Sequence, residues 1–130
     1  MNYYFKTSLS SVTFDEVIEK TIEELQKEGF GVLTEIDLKA TLKKKLDVDF
    51  YNYKILGACN PSFAHKALMA EDKIGTMLPC NVIIQEKKPG TIEVSAVDPL
   101  ASMVSVKNDA LGTIALEVRD KLKRVIENIK

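Results

Sequence analysis

The residues of this chain best suited to chemistry are two cysteines, each followed by an asparagine and each near a proline. Cys59 lies in Gly57-Ala58-Cys59-Asn60-Pro61 and Cys80 in Leu78-Pro79-Cys80-Asn81. A thiol just ahead of a helix meets unpaired backbone N–H groups and the positive end of the helix dipole, which stabilise the thiolate and raise its reactivity. Cys59 stands where such a helix is expected to start. It is therefore the candidate nucleophile, and Cys80, from the same or a second subunit, is the candidate resolving thiol. A free cysteine also behaves as a small apolar filler, and Cys80 shares a strand face with Val82 and Ile84, which favours that role for it. Asn60 and Asn81 offer donors and acceptors at the ends of elements, for a ligand or for capping a helix.

His65 is the lone histidine. With Cys59 and Cys80 it would complete three metal ligands, but the spacing departs from the Cys-x2-4-Cys pairs of structural zinc sites, so no metal is expected. Its place on the helix aims it away from the corner, so a solvated imidazole is expected. No GxGxxG, GxSxG or HExxH segment and no phosphate-cradling loop occurs, which removes support for several large enzyme classes and for a nucleotide cofactor. The lysines around Lys43 are flanked by Asp37, Asp47 and Asp49 and read as a solvated face. Tyr3, Tyr4, Tyr51 and Tyr53 suit either an aromatic pocket or plain cross-strand packing.

The elements that must position these groups follow from periodicity. Asn2 to Leu9 reads as a first strand. Thr13 and Glu16 have capping-box spacing, and Phe14, Val17, Ile18, Ile22 and Leu25 form a helical stripe that Gly29 ends. Phe30 to Ile36 is a second strand. Asp37 caps a short helix carrying Leu38, Leu42 and Leu46. Phe50 to Cys59 is the third strand, after which Asn60 as N-cap and Pro61 at the first helical position open a helix to about Glu71. Gly75 and Pro79 then break the chain before a strand over Cys80 to Glu86, a type II turn at Pro89-Gly90, and a returning strand with Ile92, Val94 and Ala96 on one face. After an irregular stretch from Pro99 to Met103, Asn108 starts a final helix whose stripe runs from Leu111 to Ile129. If the third helix runs back along its strand, Cys59 and Cys80 start at opposite ends of the sheet, and only Asp72 to Pro79 can reunite them.

The order β-α-β-α-β-α-β-β-α predicts an α+β two-layer sandwich: a mixed sheet of about five strands with helices on one face. With 130 residues, 45% hydrophobic and 28% charged, the chain is expected to fold as one domain over residues 1–130. A net charge of -1 gives no field to draw in nucleic acid or an anionic membrane. No long apolar run or signal-like start is visible, so a cytoplasmic protein with free thiols is expected.

Tyr53 to Pro61, the spacing of Ala64, Ala67 and Leu68, Ile74-Gly75, Met77 to Val82 and Asp98-Pro99 together resemble the bacterial and archaeal family catalogued as domain of unknown function 302. The likeness spans nearly the whole chain, and its motif residues are Gly57, Cys59, Pro61, Leu78, Pro79, Cys80 and Asn81. It implies a small two-layer fold and a homodimer, and it supplies no activity. The function expected is the binding of a small ligand in a depression bordered by both corners, through Gly57, Cys59, Asn60, Pro61, Pro79, Cys80 and Asn81. The alternatives are a thiol-dependent enzyme or redox protein using Cys59 with Cys80, and a purely structural or interaction module.

Overall fold

The computed structural model describes residues 2–130. Its strands are β1 (Tyr4–Ser10), β2 (Gly31–Asp37), β3 (Asn52–Cys59), β4 (Cys80–Lys88) and β5 (Thr91–Val97). The helices are α1 (Phe14–Lys27), α2 (Leu38–Leu46), α3 (Pro61–Ala70), α4 (Pro99–Ser102) and α5 (Asp109–Asn128), with a 3-10 helix over Asp72–Met77. The strands lie in the order β1-β5-β4-β3-β2, giving the five-stranded α+β arrangement the sequence predicts.

Each pairing in the sheet is antiparallel, where the sequence suggested a mixed sheet. The reason lies in the connections. A parallel neighbour requires a crossover that returns the chain to the starting end of the previous strand. Here α3 and the 3-10 helix deliver the chain beside the finishing end of β3, so Ala58 pairs with Cys80 and Gly57 with Asn81. Cys59 and Cys80 thus lie at the same end of the sheet, the chain between Asp72 and Pro79 having made the return that their meeting requires.

Local signals in the sequence act as expected at most boundaries. Thr13 Oγ1 accepts a hydrogen bond from the Glu16 amide at 3.2 Å, and Asp37 Oδ1 accepts from the Ala40 amide at 3.0 Å. Gly29 takes φ +86° at the stop of α1, a conformation that a Cβ disfavours. The stretch expected to be irregular after β5 contains α4, capped by Asp98, whose Oδ1 accepts from the Leu100 amide at 3.0 Å.

Alternation along the strands sends Leu56, Val82, Ile84, Ile92, Val94 and Ala96 to one face, all at 0% exposure. Against them pack Val17 and Leu25 of α1 and Leu122 and Val125 of α5. A smaller cluster of Ala67, Ile74 and Leu111 joins α3, the 3-10 helix and the start of α5. The opposite sheet face bears a groove of about 410 Å³ bordered by Tyr3, Tyr4, Tyr53 and Asn81.

Candidate functional site

At the junction of the two apolar clusters lies a cavity of about 340 Å³. The ends of β3 and β4 form its floor, through Ala58, Cys59, Asn60 and Cys80. Phe63, Ala64 and Ala67 of α3 face Ala115 and Val118 of α5 across it, and Gly75 and Met103 close its sides. Small side chains are what keep this space open. Four alanines and a glycine are among its lining residues, where larger side chains would fill the space.

The two cysteines are brought to this one cavity. Both are free thiols, Cys59 half-buried and Cys80 buried. Burial pushes the Cys80 thiol up to about 11, and the neighbouring Cys59 adds to the rise. Neutral Cys80 is thus the resting form, in keeping with its place beside Val82 and Ile84 on the covered face. Pro79 also lines the cavity, and the Leu78–Pro79 peptide is cis.

Asn60 lines the cavity at the N-cap position of α3, but its side chain makes no capping bond. Its Nδ2 instead donates to the Glu28 carbonyl oxygen at 3.2 Å, tying the mouth of the cavity to the end of α1. That carbonyl, 32 residues earlier, takes the Nδ2 donor, while Oδ1, the atom a cap would use, accepts from no local amide. A tertiary partner of this kind leaves no mark in the spacing around Asn60.

Three other residues expected at the depression lie elsewhere. Asn81 points to the opposite sheet face and lines the groove there, because one residue along a strand reverses the side. Pro61 is exposed at the first position of α3, away from the cavity. Gly57 is covered: a Cβ there would collide with Thr34 Oγ1 and stand 2.7 Å from Pro79 Cγ. Its lack of a side chain lets Pro79 close over β3. His65 is exposed on α3, and among the described residues no three His, Cys, Asp or Glu side chains gather as a metal site. Leu33 and Met103 also line the cavity; nothing in their local sequence marks them. Ala64 and Ala67 entered the sequence reading only through their spacing with Leu68; that they are alanines, like Ala115 across the space, is the signal that could have pointed to a hollow.

Fold and site together define a small α+β protein with an apolar cavity at one end of an antiparallel sheet. The family described as "Domain of unknown function DUF302" matches residues 5–129, and the chain belongs to it. The chain is similar to a solved structure described as an uncharacterized conserved protein DUF302 from Bacillus stearothermophilus, with 27% identity, a TM-score of 0.90 and 100% of each chain covered. No curated protein matches the sequence. Among the described residues, no helix is long and apolar enough to cross a membrane.

Proposed function

We propose that the chain binds a small, mainly apolar molecule in the cavity between α3, α5 and the ends of β3 and β4. One observation carries this reading: a space of about 340 Å³, walled by apolar side chains, with Cys59, Asn60 and Cys80 as its few polar groups. Such a volume falls at the lower end of ligand sites, which span about 300–1,000 Å³. Native interiors otherwise contain few voids larger than a water molecule.

Titration with the neutral fluorophore N-phenyl-1-naphthylamine tests the reading. Saturable binding is expected, weakened at least tenfold by Ala67→Leu and by Ala115→Leu, which fill the space from opposite helices. Melting temperatures for both variants should stay within a few degrees of the parent, because the added carbons enter empty volume. Unsaturable binding, or full affinity in both filled and folded variants, overturns the proposal.

The convergence of both free thiols on one cavity favours a second reading, a thiol-dependent redox protein. In it Cys59, the more accessible sulfur, attacks a disulfide sulfur or peroxide oxygen of the substrate and expels a thiolate or an alkoxide; Cys80 then attacks the Cys59 sulfur, expelling the second thiol or water, and an external dithiol reduces the Cys59–Cys80 disulfide so formed. A free-thiol state suits a reducing compartment such as the cytoplasm. Alkylation against pH distinguishes this from simple binding: activation at Cys59 requires half-maximal rate below the free-thiol value of about 8.5. We also propose a homodimer in which the open sheet face is covered, supported by Tyr3 at 65% and Ile36 at 44% exposure. Sedimentation of Ile36→Lys as monomer, against a dimeric parent, is the expected result.

A further inference from the structure

The wall of the cavity nearest α5 carries more than hydrocarbon. Phe63, a lining residue, has the Lys66 Nζ at 5.4 Å and the Lys121 Nζ at 5.9 Å from its ring centroid. The first lysine belongs to α3 and the second to α5, so two helices bring two cations to one aromatic side chain.

Of these two charges, one is unpaired among the described residues and the other shares its carboxylate with an arginine. Among the described residues Lys66 has no ion-pair partner. Lys121 meets Glu28 only at 3.9 Å, while Arg124 holds the same carboxylate at 3.0 Å. Near α4, Asp98 is taken by Arg119 at 3.4 Å. Glu28 is thus shared between two cations and Asp98 is held by Arg119, and the two lysines, not themselves lining residues, stand beside the hollow at the Phe63 ring.

We infer that the ligand of this cavity is an amphiphilic anion, an unbranched carboxylate whose chain fills the hollow and whose head lies at Lys66 and Lys121. This rests on the cavity being a ligand site. An ionised head inside an apolar lining would lose its hydration without recompense, so it must stay at the wall where the ammonium groups stand. A cationic head would meet repulsion there, and a neutral one would gain nothing from the lysines. At about 30 Å³ for each small group, 340 Å³ accommodates roughly ten carbons.

The test compares decanoate, 1-decanol and decyltrimethylammonium as displacers of N-phenyl-1-naphthylamine, below their aggregation thresholds, with the parent chain and Lys66→Gln/Lys121→Gln. Decanoate should displace the fluorophore about three- to tenfold more tightly than decanol, in the range expected for exposed charge contacts, and decyltrimethylammonium most weakly. The preference should shrink at 1 M salt. In the double variant decanoate should fall to the affinity of decanol, with decanol unchanged. Equal affinity of acid and alcohol for the parent, or an undiminished preference in the double variant, overturns the inference and leaves the cavity reading intact. Absence of displacement by all three overturns the inference, while the cavity reading falls only if the fluorophore itself fails to saturate or keeps full affinity in Ala67→Leu and Ala115→Leu.

Discussion

Beneath the middle of the sheet, Val82, Ile84, Ile92 and Val94 meet Leu122 and Val125, each at 0% exposure. A short distance along the same apolar layer, Ala58, Ala64, Ala67 and Ala115 face a space of about 340 Å³. Polarity does not separate the two regions; both are lined by apolar side chains. Volume does. Branched and long residues interlock in the first region, whereas in the second the alanine side chains are too short to fill the space. One region therefore supplies stability, and the other trades some of it for space.

The largest test of that contrast is Leu122→Ala. In the filled region it should cost about 2–5 kcal/mol in urea unfolding, since the hole it leaves has no way to collapse. A cost below about 1 kcal/mol would show that the middle of the layer is as loosely packed as its end.

Next comes a pH effect confined to the hollow end. Because the Cys80 thiol is raised from 9.0 to about 11 by burial, the unfolded chain ionises first as pH increases. Stability from this group is complete below about pH 9 and is lost as pH rises towards 11, by on the order of 2 kcal/mol. Denaturant midpoints of the parent should decline over that window more steeply than those of Cys80→Ala. Parallel curves would mean that the sulfur is better solvated than its position implies.

Gly57→Ala should cost about 1–3 kcal/mol as an overpacking change, because the new carbon competes with Thr34 and Pro79 for the same space. It probes the rim of the hollow: partial recovery on combining it with Thr34→Ala is expected in thermal melts. Asn60→Ala should have the smallest effect, about 0.5–1.5 kcal/mol for a lost hydrogen bond to the Glu28 carbonyl. Hydrogen exchange at the end of α1 should quicken in the same variant, since that bond joins the filled and hollow regions. Unchanged exchange there would show that the two regions are independent.

Much of the scaffold was legible in the sequence because its signals are local. Thr13, Asp37 and Asn108 each bond to an amide two or three residues ahead, and Gly90 takes φ +84° in the expected turn. Period-two and period-3.6 patterns sorted buried faces in β4, β5, α1 and α5. The site was legible only in part. Cys59, Asn60, Pro79 and Cys80 do meet one cavity, yet Asn81 falls on the other face by the alternation that the same strand displays. A depression at the two corners was expected, but not its apolar walls, because these depend on how α3 and α5 approach each other, and the intervening Asp72–Met77 is a 3-10 helix without a strong apolar period.

The pairing of β2 with β3 shifts register between Val32 and Thr34. β2 is also the outermost strand on that side of the sheet. A kinked border is a poor template for a foreign extended segment, since evenly spaced amides and carbonyls are needed to zip one on. Unwanted fibrous growth is thereby discouraged from that margin, leaving β1 as the straighter of the two borders.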